Sequence, residues 1–345
     1  LRMSRGLGDV YKRQTMCVIA YNEEQNINGI LECIKNQDYD HNNMEVVLVD
    51  GASTDNTRAL MCEFALDNKD EFRRVVVLDN PKKTLPSGWN VALREYKGDA
   101  IIKVDAHAVI PEDFVSKNVR VLETGEYICG GQRPNIIDKP TPFKETLLLA
   151  ESSMFGSSIA SYRNNPGKTY VKSLFHAAYR REVFEKVGFF NEELVRTEDN
   201  EIHYRMRKAG YKLCFDPDII SYQYTRSSLK AMLKQKYANG YWIGKTSKVC
   251  PKCLSIYHFV PFAFVSAIIA SGSVIGATGL AECIKKRHNH TLGKGISALR
   301  KVTVVLTTVM WVLYALMASG MAAVSAFKAE DKRNITNACL PVSVS

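Results

Sequence analysis

The chain has no Gly-x-Gly-x-x-Gly after its first apolar run. Thr15-Met16-Cys17-Val18-Ile19-Ala20 is followed by Tyr21-Asn22-Glu23-Glu24 instead. A dinucleotide pyrophosphate needs glycines there for close backbone approach. The absence weighs against a Rossmann oxidoreductase or a nucleotidyltransferase. No aromatic-basic motif of the RNA- or DNA-binding kind is present, so the net charge of +10 does not point to nucleic acid. The first 14 residues lack the apolar core of a secretory signal peptide. Cys250-Pro251-Lys252-Cys253 has ligand-like spacing, but no second Cys or His pair completes a zinc site. The nine cysteines are scattered and odd in number, which fits reduced thiols in a cytoplasm better than a disulfide framework.

What the chain does have is a pair of acidic strand ends. Val46-Val47-Leu48-Val49 runs into Asp50-Gly51-Ala52-Ser53-Thr54-Asp55, and Ala100-Ile101-Ile102-Lys103-Val104 runs into Asp105-Ala106-His107. Short apolar runs separated by helical periodicity read as buried parallel strands. With the first run at Thr15–Ala20 and another at Arg74–Leu78, the order is βαβαβαβ. That predicts an α/β fold with a mostly parallel sheet covered on both faces. Ligands of such sheets collect at the carboxyl ends of the strands, where both carboxylates arrive. The second half is less regular. Strands are expected at 126–131, 170–179 and 212–215, with helices at 146–162, 181–187, 198–209 and 227–237.

Four motifs in this order, Ala20-Tyr21-Asn22-Glu23-Glu24, Asp50 to Asp55, Asp105-Ala106-His107 and Thr197-Glu198-Asp199, resemble a family 2 glycosyltransferase. The Asp-Ala-His form and Ala178-Tyr179-Arg180-Arg181-Glu182-Val183-Phe184 are similar to bacterial exopolysaccharide enzymes of the succinoglycan type. The resemblance covers roughly residues 15–245. It implies the GT-A fold and an inverting transfer from a nucleotide-diphosphate sugar, a UDP-sugar, to a lipid-linked oligosaccharide or polysaccharide acceptor. A non-catalytic partner with a degenerate transferase fold is the alternative.

The resemblance assigns nucleotide-sugar contacts to Ala20, Tyr21, Glu23, Asp50 and Asp105, and to Trp89 and Asn90 after Lys82-Lys83. Asp55 reads as a helix cap. Asp105 and His107 stand where the family carries Asp-x-Asp, so they are the expected ligands of a divalent cation, Mn2+ or Mg2+. Imidazole in place of the second carboxylate favours Mn2+ over Mg2+. An inverting displacement needs one carboxylate to take the proton of the acceptor hydroxyl. Asp199 is the expected base and Glu198 the alternative, although acids at a helix start are favoured in any case. Gly130-Gly131 suits either backbone approach to the donor sugar or a bulge. His176 to Arg181 is assigned to the acceptor side, and Lys234, Lys236 or Lys245 to the diphosphate. Gln235 to Trp242 does not match the Gln-x-x-Arg-Trp of processive synthases, which argues against a polymer synthase.

Phe259 to Leu280 and Val302 to Phe327 are 22 and 26 residues without a formal charge. A bilayer span needs about 20. Membrane lipid is therefore an expected partner, with the catalytic domain facing the cytoplasm at the cytoplasmic membrane. Lys285, Lys286, Arg287, Lys294, Arg300 and Lys301 load the connection, which the positive-inside rule keeps cytoplasmic. Two full crossings would put that connection opposite the catalytic domain. Re-entrant or interfacial segments, or a further span beyond the chain's end, would resolve the conflict. Leu7 to Gln14 resembles a translated adapter tract, so residues 1–14 are left out of the expected fold. The expected domains are then a GT-A catalytic domain at 15–250 and a membrane-associated region at 254–330, followed by a truncated tail at 331–345.

Overall fold

The computed structural model describes residues 12–153, 167–287 and 294–339. The chain divides into two compact units, Leu1–Leu254 and Ser255–Ser345. The first unit opens with β1 (Gln14–Ala20), α1 (Ile27–Lys35), β2 (Met44–Asp50), α2 (Thr57–Asp67), β3 (Arg74–Asp79), α3 (Leu85–Glu95) and β4 (Ala100–Asp105). It continues through β5 (Ala108–Val109), α4 (Phe114–Glu123), β6 (Ile128–Gln132), β7 (Asn135–Ile136), α5 (Pro142–Ser152), β8 (Thr169–Val171) and β9 (Ala177–Arg180). It closes with α6 (Arg181–Val187), α7 (Glu198–Lys208), β10 (Leu213–Ile220), β11 (Tyr222–Tyr224) and α8 (Leu229–Val249).

Eight strands form one sheet in the order β3-β2-β1-β4-β9-β6-β10-β8, and β5-β11-β7 form a small second sheet. β1, β2, β3 and β4 are parallel, whereas β9 runs antiparallel to both β4 and β6. Strand alternation sorts the core into two layers. Met16, Val18, Val46, Leu48, Ile102 and Val104 face α1, α2 and α4. Cys17, Ile19, Val47, Val49 and Ile101 face α3, α6 and α7. Residues two apart share a face, so Lys103 and Asp105 lie on the same side as Ile101.

Several expectations change in detail. β1 starts at Gln14, which pairs with Met44 and Ala100, and the Arg13 side chain forms an ion pair with Asp99 at 2.8 Å. Arg13 and Gln14 therefore belong to the fold, not to an excluded tract, and residues 1–11 lie outside the described residues. The single strand expected at 170–179 is two, because β8 pairs with β10 while β9 is inserted between β4 and β6. Of the helix expected at 146–162, α5 accounts for 142–152, and residues 154–166 lie outside the described residues.

The second unit contains α9 (Val260–Arg287) and α10 (Lys294–Cys339). Phe264 stacks on Tyr314 with centroids 5.1 Å apart, and Arg300 pairs with Glu282. These contacts fix an antiparallel helix pair. Over Ile256–Lys285 and Gly295–Phe327 the pair is long and apolar enough to cross a membrane. These stretches are longer than the charge-free runs in the sequence. The connection at 288–293 lies outside the described residues, and the Lys and Arg residues expected to load it lie in the ends of α9 and α10.

Candidate active site

Register aligns the motifs. Ala20 pairs with Asp50 across β1 and β2, and Ile19 pairs with Asp105 across β1 and β4. Three strand ends thus deliver Ala20, Asp50 and Asp105 to one edge of the sheet. Asp50 is buried, and its carboxylate accepts from the Ser53 N–H at 3.2 Å. The loops after β1 and β2 are knitted together by side chains. Asn22 N–H donates to Ser53 Oγ at 3.0 Å, and Asn22 Oδ1 accepts from Thr54 N–H at 2.8 Å. Asn22 and Ala52 have φ of 54° and 57°, a conformation that costs a non-glycine residue about 1–3 kcal/mol. The cross-loop hydrogen bonds hold it in place. Asp55, one residue before the N-cap Asn56, accepts from Thr57 N–H and Oγ–H at the start of α2, so it supports the helix start from the flanking position and is not the N-cap itself. Tyr21 is exposed above this floor.

The second cluster surrounds Asp105. Its backbone N–H donates to His176 Nε2 at 3.3 Å, and its Oδ2 is 3.7 Å from the same nitrogen. His176 Nδ1 meets Ser221 Oγ at 2.8 Å. Burial pushes the His176 pKa down even though Asp105 pushes it up, so the ring is neutral. Burial also pushes the Asp105 carboxyl up, but His176, His107 and Lys103 together outweigh it and hold it well below the usual carboxylate range. Asp105 is therefore a carboxylate at neutral pH.

His107 has both ring nitrogens engaged. Nδ1 is 3.3 Å from Glu23 Oε1, and Nε2 is 3.3 Å from Gln223 Nε2, whose Oε1 accepts from Arg133. The Glu23 hydrogen bond raises the His107 pKa against burial and against the charge of Arg226. Burial and the like charge of Arg226 lower the Arg196 pKa. Among the described residues, no group of three or more His, Cys, Asp or Glu is placed to hold a metal ion. Asp105 offers a hard carboxylate ligand, while His107 would have to give up one of its two ring contacts to bind a cation.

The third cluster joins β4 to α7. Lys103 is ion-paired with Asp199 Oδ1, and the side chains are 5% and 18% exposed. The Lys103 ammonium lies 5.2 Å from the Trp89 ring centroid and 5.9 Å from that of Phe190. Glu198 is buried with Oε2 unpartnered. Burial, then the neighbouring Asp199, push its carboxyl up to about 8 despite Lys103. Of the two expected acids, Glu198 is protonated at neutral pH and Asp199 carries the ion pair. Glu45 gives the contrast at the far end of the sheet. It is buried too, but Arg74, Thr15 Oγ–H and Lys97 N–H satisfy it.

Some expected site residues have another place. Trp89 is in the core, 2% exposed, and Asn90 is 3% exposed with its amide spent on Phe190 and Glu192. Neither offers surface to a donor: both pin the 190–192 segment to α3. Gly130 and Gly131 are required by packing, since a Cβ there would lie 2.6 Å from His176 O and 2.0 Å from Ile219 O respectively. Ala177 to Arg180 form a buried central strand, not an acceptor wall. Lys236 pairs with Glu151 at 2.9 Å, and Lys245 lies over Trp242 at 4.9 Å. Lys103 was not singled out in sequence, although a lysine inside an apolar strand run is itself a signal that a buried counter-charge exists.

The comparisons with known proteins identify the family. Residues 15–188 match the family described as Glycosyl transferase family 2. A dolichyl N-acetyl-alpha-D-glucosaminyl phosphate 3-beta-D-2,3-diacetamido-2,3-dideoxy-beta-D-glucuronosyltransferase of Methanococcus voltae is 26% identical over 74% of this chain and 80% of its own length. Succinoglycan biosynthesis protein ExoA of Rhizobium meliloti is 30% identical over 57% of this chain and 59% of its own. A mannosyltransferase of Pyrobaculum calidifontis, solved in complex with GDP-Man and Mn2+, superposes with a TM-score of 0.54 at 19% identity. The match covers 93% of this chain and 87% of that one, and it shows a shared fold. The chain belongs to glycosyltransferase family 2 and is a glycosyltransferase.

Proposed function

We propose that the chain moves a sugar, with inversion, from a nucleotide-diphosphate donor of the UDP-sugar type to a lipid-linked oligosaccharide at the cytoplasmic face of a membrane. The observation that carries the reading is the convergence of Asp50, Asp105 and Asp199 on the same edge of the sheet. Asp50 and Asp105 come from aligned strand ends, and Lys103 ties Asp199 to β4. In this reading Ala20, Tyr21, Glu23 and Asp50 bind the nucleoside. Arg196 and Arg226 add positive charge where a diphosphate departs.

Asp105 is the residue that would hold a divalent cation, through its carboxylate. Such an ion would neutralise charge on the leaving diphosphate. Asp105 holds its place through the His176–Ser221 chain. Asp199 takes the proton of the acceptor hydroxyl. The long apolar helices and the family relatives in glycan synthesis support a membrane-bound acceptor.

The test is incubation with a panel of sugar-nucleotides and extracted polyprenyl-linked acceptors, read by mass spectrometry. A mass gain of one sugar on the lipid-linked acceptor, with release of nucleoside diphosphate, is the expected result. Release of nucleoside diphosphate with no acceptor gain from any extract overturns the acceptor assignment.

A further inference from the structure

We propose that Lys103 is the positioning residue of the catalytic base: its ammonium grips Asp199 Oδ1 from β4 and leaves Oδ2 for the acceptor hydroxyl. This rests on the reading of Asp199 as the base. The geometry begins with a lysine that is 5% exposed in the middle of a buried strand. Burying an ammonium is costly unless it is paired, and an apolar side chain of the same volume would serve the core better. The charge is retained where it meets one particular carboxylate.

The ammonium is also confined. Trp89 and Phe190 place ring faces 5.2 and 5.9 Å away, which favours a cation over a neutral group. The pinning of Phe190 by Asn90, through Phe190 N–H to Asn90 Oδ1 at 2.8 Å, fixes one of those rings. Trp89 and Asn90, expected to touch the donor, thus act one layer behind the base.

Lys103 also divides the labour between two adjacent acids. The hydrogen bond goes to Asp199 Oδ1, and Glu198 keeps a buried, unpartnered oxygen. The remaining titratable groups near Asp199 are His203 and Tyr179. Burial pushes His203 down to about 4, so it is neutral, and its ring is held by Ser173 and Tyr179 hydroxyls at 3.1 and 2.8 Å. Tyr179 is pushed well up by burial. Among these neighbours, Lys103 supplies the positive charge.

In the transfer, the acceptor O–H bond breaks and its proton goes to Asp199 Oδ2. The acceptor oxygen forms the bond to the anomeric carbon, and the bond to the diphosphate breaks with its electron pair leaving on the nucleotide. The ion pair to Oδ1 keeps the base from rotating away and holds Oδ2 towards the acceptor hydroxyl.

The experiment measures kcat, donor KM and melting temperature for Lys103→Met, Lys103→Arg, Asp199→Asn and Lys103→Met/Asp199→Asn. Lys103→Met is expected to lose about 30-fold or more in kcat with donor KM within about threefold, because the effect acts in the transition state. Lys103→Arg keeps the cation and is expected to retain more than about a tenth of kcat. In the Asp199→Asn background, Lys103→Met is expected to change kcat by less than about threefold, since its partner is already gone. If Lys103→Met alone fails to fold, the double variant, which removes both charges together, carries the test. Wild-type kcat in Lys103→Met, equal losses in folded Met and Arg variants, or a further loss of about 30-fold on top of Asp199→Asn would each overturn the proposal. Wild-type turnover in Asp199→Asn would instead overturn the base reading on which it rests.

Discussion

His107 Nδ1 lies 3.3 Å from Glu23 Oε1, joining the Asp-Ala-His strand end to the loop after β1. The motif position that the family resemblance assigns to metal is tied to a residue assigned to the nucleotide. The two groups shift one another. Burial pushes Glu23 up, but the contacts of His107 and Asn26 together outweigh it and lower its pKa, while the Glu23 contact raises that of His107.

The pair therefore stabilises the fold within a pH window. Glu23, depressed in the folded state, contributes above its unfolded value and loses the contribution as pH falls through its folded value. His107, raised, contributes below its unfolded value and loses the contribution as pH rises through its folded value. Glu23→Gln should lower stability by about 0.2–1 kcal/mol in the window between, the scale of a partly exposed pair, and by less on either side. Melting curves of both proteins from acid to alkaline pH, without divalent ion, check this. A difference that is constant with pH would refute the coupling.

Asp199→Asn should reduce transfer by about 10²–10⁴-fold while sparing nucleotide binding, since the carboxylate acts only as a proton acceptor in the transition state. Turnover and calorimetric nucleotide affinity measured on the same preparation separate the two. Turnover near wild type removes Asp199 from the mechanism.

Asp105→Ala should abolish the dependence of nucleoside diphosphate affinity on Mn2+ or Mg2+, because it removes the hard carboxylate ligand at this strand end. His107→Asp should show the opposite sign in two conditions. Without metal, its carboxylate faces Glu23 and weakens binding. With Mg2+, a second carboxylate ligand strengthens it. Identical metal titrations for Asp105→Ala and wild type would rule out the metal site.

The strand-end part of this site was legible because each apolar run terminates in its own acid, and period-two alternation fixes which face Asp105 shares with Ile101. Trp89 and Asn90 were legible only as residues near the donor. Their burial depends on how α3 meets the 190–192 segment, about 100 residues away, and no local pattern reports that. Likewise 170–179 has the composition of one strand. Its split into β8 and β9 is set by partners at β10, β4 and β6. Lys103 was visible in the sequence as the single charge within Ala100–Val104. Its meaning appeared only when α7 brought Asp199 opposite.

Glu198→Gln should flatten the stability profile between about pH 5 and 8. The ordinary glutamate value is about 4.3, and burial beside Asp199 pushes Glu198 to about 8. The folded state therefore holds a proton that the unfolded state releases. The contribution is complete below the unfolded value and is lost as pH rises through about 8. Denaturant midpoints of wild type should fall over that interval, and those of Glu198→Gln should fall less. Parallel profiles would show that Glu198 ionises normally.

A chain ending at Leu254 should be soluble without detergent, bind nucleoside diphosphate and lose transfer to a lipid-linked acceptor. The compact unit ends there, and Cys253 is buried within it, so a cut at Lys252 would remove a core contact. All the site residues lie before this point. The helices beyond it are long enough to enter or cross a bilayer, and their exposed Leu, Val and Phe side chains would be costly in water. Sedimentation of full-length and shortened chains tests the membrane reading, and a full-length chain that stays in the detergent-free soluble fraction would refute it. Protease access to the connection at 288–293 in sealed vesicles tests topology. The basic residues at its ends, Lys285 and Arg300 among them, should keep it on the side of the catalytic unit. Cleavage only from the opposite side would show two full crossings and would overturn a re-entrant or interfacial placement.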